Sequence, residues 1–414
     1  MSSLQPVRGT HDHLPEDARR HRDVVDTTRA VVALYGYQEM STPIFEFSEV
    51  FKRTLGDTSD IVTKEMYTFE DRGGDTVTLR PEATAAVARA FISGGLQQHL
   101  PLKFFVHGPM FRYERPQKGR LRQFHQIDIE LLGIAEPMGD VEIVAAGAHV
   151  LEALGVLGKT TLELNTLGDT ESRDAYRAAL VAYFEGHLDK LSDDSRERLT
   201  RNPLRILDSK DEGDRAVVKD APVFADHLTQ AALDYFARVR QGLERIGVSY
   251  ELNPRLVRGL DYYCHTAFEF TTTELGAQGA VIAGGRYDGL IQQMGGPPTP
   301  GIGWAGGIER LALLAGKSLD APRPVALVPI GDAAEATAEI LAAKLRRAGF
   351  AIDLGFRGNL KRRMKDANKA NARVAVLMGE DELARDAATL RDLDTGEQSE
   401  VGLASLEDAL APYR

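Results

Sequence analysis

The run GPMFRYERPQKGRLRQFHQIDIELLG, residues 108–133, limits the possible folds of this chain more than any other stretch. Two segments of alternating character flank a loop carrying Arg112, Arg115, Lys118, Arg120 and Arg122, which reads as a hairpin. Strand side chains alternate, so Phe124, Gln126, Asp128 and Glu130 share one face. His125, Ile127, Ile129 and Leu131 share the other, which is mostly apolar and needs a core. The polar face either meets water or lines a pocket. The aromatics Phe104, Phe105, Phe111 and Phe124 among the polar residues favour the pocket. The chain carries a formal net charge of −11, so the cations of the loop run against the background. Guanidinium forks match phosphate and carboxylate oxygens, and the hairpin therefore reads as a clamp for charged oxygen.

A chain of 414 residues is expected to form two or three domains. Its single cysteine, Cys264, excludes a disulfide framework and fits a reducing cytoplasm. No Cys/His cluster has zinc-ligand spacing. The N-terminal MSSLQPVRGTHDHLPED has no apolar core and reads as no secretory signal. No run approaches the roughly 20 apolar residues of a membrane span. In a chain this acidic, nucleic acid can only be met by local basic patches.

Along the chain, an amphipathic helix is expected over 16–36, a hairpin over 66–80 and an alanine-rich helix over 83–92. After the central hairpin come a helix at 140–154 and a charged, helical stretch over 169–245. Strand character returns in 247–273 and 279–284, and a helix follows from about 305 to 315. From 325 strands and helices alternate as in a small parallel sheet. The expected fold is α+β. An antiparallel-sheet domain spans 1–320, with a helical insertion at about 169–235, and a separate α/β domain spans 325–414.

GIGWAGG at 301–307 matches the dinucleotide pattern G-x-G-x-x-G, but Gly-Gly-Pro-Pro-Thr-Pro stands where the fingerprint needs a hydrophobic strand. Close approach of backbone is the better use of Gly303, Gly306 and Gly307. A P-loop and a kinase loop set are both missing, so a bound nucleotide must be held by arginines. VRGLDYYCHTAFEF (257–270) brings Arg258 at a glycine turn, with Tyr262 and Tyr263 expected on opposite faces of a strand. AGGRYDGL (283–290) repeats the theme with Tyr287, although a hairpin turn alone would explain its glycines. In LRPEATAA (79–86), Glu82 and Thr84 stand at a helix start, where capping is an equally good reading. Residues 357–373 are strongly basic; such runs are usually solvated faces, but in a chain this acidic a nucleic-acid contact is an equally good reading. Cys264 reads as inert packing.

Together these segments resemble the class II aminoacyl-tRNA synthetases, and within them the histidyl-tRNA synthetase family. The segment ending at Pro43 looks like motif 1, GPMFRYERPQKGRLRQFHQ like motif 2 and GIGWAGGIERLALL like motif 3. RGLDYY and AGGRYDGL look like the two histidine signatures, and LRPEATA also matches, with Ala83 where glycine is common. The resemblance implies an ATP-dependent ligase that joins L-histidine to tRNA(His), with MgATP as substrate and no tightly bound cofactor. Motif 1 implies a homodimer, and the last domain implies an anticodon-binding role. Carried over by matching position, Arg112 and Arg258 are catalytic. Arg112, Arg310 and Glu114 meet ATP. Glu82, Thr84, Gln126, Glu130, Arg258, Tyr262, Tyr263 and Tyr287 hold histidine. Arg115, Gln117, Lys118, Lys361, Arg362 and Lys365 contact tRNA. The metal ligands stay unassigned.

Amino-acid activation crowds negative charge at one phosphorus and needs positioning and electrostatic stabilisation rather than a nucleophilic side chain. Three arginines suit that task. The rival reading is a non-catalytic paralogue, the regulatory subunit of ATP phosphoribosyltransferase. Such a protein is expected to lack the last domain and to lose catalytic arginines, whereas this chain has both.

Overall fold

The computed structural model describes residues 4–55, 61–117, 119–207, 209, 211–256, 262–276, 279–316 and 321–414. Contacts divide the chain into two units, Met1–Leu319 and Asp320–Arg414.

The first unit is built on an eight-stranded sheet. Its order is Gln38–Glu39, Leu102–Phe111, Gln123–Leu132, Gly301–Gly307, Ala280–Arg286, Cys264–Thr271, Thr161–Thr166 and Glu251–Leu252. The two short edge strands pair in parallel and every pairing between them is antiparallel. The glycine-rich 301–307 run, expected to lead into a helix by about 305, is itself a central strand, and the helix starts at Ile308. Alternation then sorts its residues. Ile302, Trp304 and Ile308 enter the core on the back of the sheet, while Gly303, Ala305 and Gly307 leave the front open.

Helices Pro15–Leu34, Pro137–Ala153, Gln230–Arg245 and Ile308–Ala315 supply side chains to the core behind the sheet. Pro137–Ala153 is apolar on nearly every side, as a helix enclosed by others must be, and Ile143, Val144, Val150 and Leu151 are buried. Trp304 anchors this packing, with its indole Nε1 donating to Ile143 O at 3.1 Å. On the front, a three-stranded sheet (Phe45–Phe47, Thr76–Leu79, Tyr67–Glu70) leads into helix Thr84–Ser93.

The segment after Thr166 is helical, as its composition implies. Helices Thr170–Glu185, Asp193–Arg201 and Glu212–Val218 have their own core of Tyr176, Leu180, Phe184, Leu199, Ile206 and Val217. Asp169, Ser192, Asp211 and Thr229 each cap the following helix with a side-chain oxygen. The last helix, Gln230–Arg245, instead sends Val239 and Leu243 into the main core.

The second unit is a five-stranded sheet in the order Ile352–Leu354, Val325–Pro329, Val374–Met378, Ala387–Asp392, Gln398–Gly402. The first three strands are parallel, as expected. The last two add an antiparallel hairpin, so the sheet is mixed rather than parallel. Helix Asp332–Arg347 packs one face and helix Leu360–Lys369 the other.

Candidate active site

The front of the eight-stranded sheet is the floor of a cleft of about 1840 Å³. Register explains why it is deep. Glu130 pairs with Gly303, and Gly303 with Gly285, so on that side of Glu130 two successive strands carry no side chain that could fill the space. A Cβ on Gly303 would lie 1.9 Å from Glu130 Oε2, and one on Gly301 would lie 2.2 Å from the Tyr287 ring. Both positions therefore require glycine. The close approach foreseen for Gly303 is thus toward a carboxylate and its neighbouring strand.

At the polar end, Glu130 is 1% exposed. It accepts from Thr84 Oγ1 at 2.6 Å and from the Tyr287 hydroxyl. Burial raises its carboxyl to about 8 despite those two donors. Tyr262 and Tyr263 do not lie on opposite faces of a strand, because the strand starts only at Cys264. Both pack in one cluster with Tyr287, and their ring centroids are 4.5 Å apart. Arg173 of the helical insertion donates to Tyr263 O at 2.9 Å, tying that region to the pocket.

Glu82 realises both of its readings. Its carboxylate accepts from Thr84 N and Ala85 N, each at 2.9 Å, so it caps helix Thr84–Ser93 while lining the cleft. Gln126 Oε1 and Asp128 Oδ2 are buried acceptors with no protein partner among the described residues. An unpaired buried acceptor costs about 1–3 kcal/mol unless a ligand donates to it. Burial, with Glu130 and Glu82 nearby, holds the Asp128 carboxyl well above its usual range. Asp128 was visible in the sequence only as one more acid on the polar face. Arg80, which also favours the charged form of Asp128, was missed because its role depends on contacts distant in sequence: Pro109 O at 2.9 Å and Thr42 O at 3.1 Å.

The other end of the cleft is cationic. Arg112 donates from Nε to Pro81 O at 2.8 Å and lies over the Phe124 ring at 5.2 Å, which leaves its terminal nitrogens beside the opening. Arg310 opens the helix after the glycine strand. Its Nε and Nη2 are buried without a partner among the described residues. Glu114 is ion-paired with Arg120 on the cleft wall, so it orders the loop cations as well as facing the site. Arg115 and Gln117 are exposed on the hairpin loop. Lys118 and Arg258 lie outside the described residues.

Two basic residues of the sequence motifs are structural instead. Arg286 is fully buried, ion-paired with Asp140, and donates to Asp288 at 3.0 Å and Ile134 O at 2.8 Å. In the second unit, Arg363 is 4% exposed, paired with Glu335 and bonded to Gly358 O at 2.8 Å, which removes it from the basic face. Lys361, Arg362 and Lys365 are exposed on the same helix.

An antiparallel sheet with an arginine-bearing hairpin and a glycine strand running into an arginine-bearing helix is the catalytic fold of the class II aminoacyl-tRNA synthetases. The family profile for histidyl-tRNA synthetase matches residues 9–311, and that for an anticodon binding domain matches residues 324–412. The chain is 62% identical to a histidine–tRNA ligase of Rhodospirillum rubrum over 100% of both chains. It is 58% identical to one of Gluconacetobacter diazotrophicus over 100% of this chain and 99% of that one. The apo histidyl-tRNA synthetase of S. aureus superposes with a TM-score of 0.85 at 34% identity, covering 98% of this chain and 99% of the other. An ATP phosphoribosyltransferase regulatory subunit/histidyl-tRNA synthetase from Bacillus halodurans shares the fold, with a TM-score of 0.64 at 23% identity over 91% of this chain and 98% of that one. The chain belongs to the histidyl-tRNA synthetase family.

Proposed function

We infer that this protein is a histidine–tRNA ligase. It activates L-histidine with ATP to histidyl-adenylate and transfers the histidyl group to tRNA(His). One observation carries the reading. A single cleft holds unpaired buried acceptors, Gln126 Oε1 and Asp128 Oδ2, together with unpaired buried guanidinium donors on Arg310. Histidine brings ammonium and imidazole N–H donors to the first group, and ATP brings phosphate oxygens to the second. The regulatory-subunit reading is not favoured, since it calls for neither waiting cations nor an anticodon-binding segment.

In the reaction, a histidine carboxylate oxygen attacks the α-phosphorus, the bond to the bridging oxygen breaks and pyrophosphate leaves. Arg112 contacts the α-phosphate, Arg310 the γ-phosphate and Arg258 the reacting centre. Mg²⁺ enters with ATP as part of the substrate. Glu82, Thr84, Gln126, Glu130, Tyr262, Tyr263 and Tyr287 enclose the amino acid. A pocket built from buried hydrogen-bonding groups rejects analogues that leave them unpaired, by factors of about 10⁴ or more, so no editing site is required. Arg115, Gln117 and Lys118 approach the acceptor end of the tRNA, while 325–414 forms the anticodon-binding domain with Lys361, Arg362 and Lys365 on its contact surface. The protein acts as a cytoplasmic homodimer. Phe45, Phe47 and Phe69, 58%, 59% and 50% exposed on the small front sheet, support a surface that a second copy covers.

ATP–pyrophosphate exchange with each amino acid in turn tests the reading. Exchange is expected with histidine alone. A different amino acid driving exchange, or none doing so, would overturn it.

A further inference from the structure

The N-terminal segment runs to the catalytic hairpin. Gly9 O accepts from Arg122 N at 2.8 Å and from Gln123 N at 3.4 Å, which delivers the residues that follow to strand Gln123–Leu132. There His13, from that segment, and His21, from helix Pro15–Leu34, meet His125. The ring centroids lie 4.1, 5.3 and 5.6 Å apart. Glu309, in the first turn of helix Ile308–Ala315, joins them, with Oε1 2.8 Å from His125 Nδ1. Its carboxylate is aimed in advance, because both oxygens also accept from His125 N at 3.0 Å. One potential ligand atom from each of the four residues lies within 4.8 Å of the others, and all four side chains are half-buried.

Three imidazoles converging on one carboxylate do not resemble ordinary core packing. Polar ring edges withdrawn together from water need a shared partner. Neutral imidazole with carboxylate is a donor set for a transition metal of the zinc type. Tetrahedral ligands at the usual Zn–N length of about 2.0–2.1 Å stand about 3.3 Å apart, so side-chain shifts of roughly 1 Å would close this cluster on an ion.

We propose that His13, His21, His125 and Glu309 form a binding site for one Zn²⁺ or a closely similar divalent transition metal. Glu309 serves as the fourth ligand. His125 points to the opposite face of its strand from Gln126, so the ion sits behind that strand, and Glu309 reaches it from the cleft wall. With four protein groups and no open position, the role is structural. The ion clamps the N-terminal segment to the hairpin and holds the turn that carries Arg310, next in sequence to Glu309.

The test uses full-length chain without a histidine tag, stripped by a chelator and titrated with Zn²⁺ against a chromogenic competitor. Co²⁺ serves as a spectroscopic probe. One equivalent per chain is expected, with the intense visible bands of four-coordinate Co²⁺ and a rise in Tm. His13→Ala with His21→Ala should weaken binding at least about 100-fold, since losing even an outer partner costs 10–100-fold, and should abolish the Tm rise. Histidine-dependent exchange by the metal-free variant checks that it folds, and His21→Gln alone replaces it if it does not. No stoichiometric binding, or equal binding by native chain and variant, overturns the site and reduces the cluster to aromatic packing.

Discussion

Arg286 is fully withdrawn from water and Arg310 half so, but only the first is satisfied. Arg286 is fully buried between Asp140, Asp288 and a backbone carbonyl, and Tyr235 donates to Asp140 from the other side at 2.7 Å. Arg310 keeps two buried nitrogens without partners among the described residues. The first fastens strand Ala280–Arg286 to helix Pro137–Ala153, and its charge is already answered. The second has only the more distant carboxylate of Glu269 to answer it and keeps unpaired donors on the wall of a cleft. Burial alone therefore does not mark function here; a buried donor without a partner that also faces the cleft does.

The largest effect that could break this contrast belongs to Arg286. Arg286→Ala strands Asp140 and is expected to cost about 3–5 kcal/mol, a fall in Tm on the order of 10 °C by thermal melting. A combined Arg286→Met and Asp140→Leu exchange should recover most of it, since a fully apolar replacement leaves no buried charge behind. If the single variant melts like the native chain, the strut is not structural.

Arg310→Ala should do the reverse. Its Tm should hold or rise, because two buried donors without partners are removed. Pyrophosphate exchange should drop by roughly 10²–10³-fold, as when one preorganised charge donor is lost from a transition state. A large Tm loss with normal exchange would place Arg310 with Arg286 and erase the distinction.

Glu130 sharpens the contrast from the acidic side. Its carboxyl is raised to about 8, from an ordinary value of 4.5. Below pH 4.5 it is neutral folded or unfolded, so it has no pH-linked effect. Between about 4.5 and 8 the folded state holds the extra proton, and stability falls as pH rises. Glu130→Gln removes that loss, so its Tm advantage over the native chain should widen by several degrees from pH 5 to pH 8 and then level off. Its histidine KM should rise much more than its ATP KM. A Tm difference that is flat with pH would show that burial does not hold the proton.

Much of this was legible in the sequence, for identifiable reasons. Period-two alternation in 123–132 separated Ile127, Ile129 and Leu131 from Gln126, Asp128 and Glu130; it required burial of the first set only and left open the pocket that also buries the second. The helical insertion declared itself by charge and missing strand signals. What stayed hidden depends on contacts distant in sequence. Nothing near Gly303 announces that Glu130 needs its empty side, because the pairing strand lies some 170 residues away. Arg363 looked like its exposed basic neighbours, and Arg286 like one more motif cation, until Glu335 and Asp140 were placed beside them. The antiparallel hairpin 387–402 was missed because ATLRDLDTGEQSE carries little apolar alternation on an edge that water covers. His13, His21, His125 and Glu309 have no metal-site spacing, and only the fold assembles them.

The same contrast recurs, weakened by solvent, on helix Leu360–Lys369. Arg363 is buried and paired, whereas Lys361, Arg362 and Lys365 are exposed. Exposed cations add little to stability, so their joint replacement by alanine should leave Tm and pyrophosphate exchange nearly unchanged. If they meet tRNA phosphates, each contributes roughly one unit to the salt dependence of binding. The triple variant should then lose several-fold in charging, seen in the tRNA KM, and the slope of log affinity against log salt should become shallower by about 3. Arg363→Ala should show the opposite pattern, a lower Tm and an unchanged salt slope. If the triple variant charges tRNA normally at every salt concentration, the basic face is merely solvated and makes no tRNA contact.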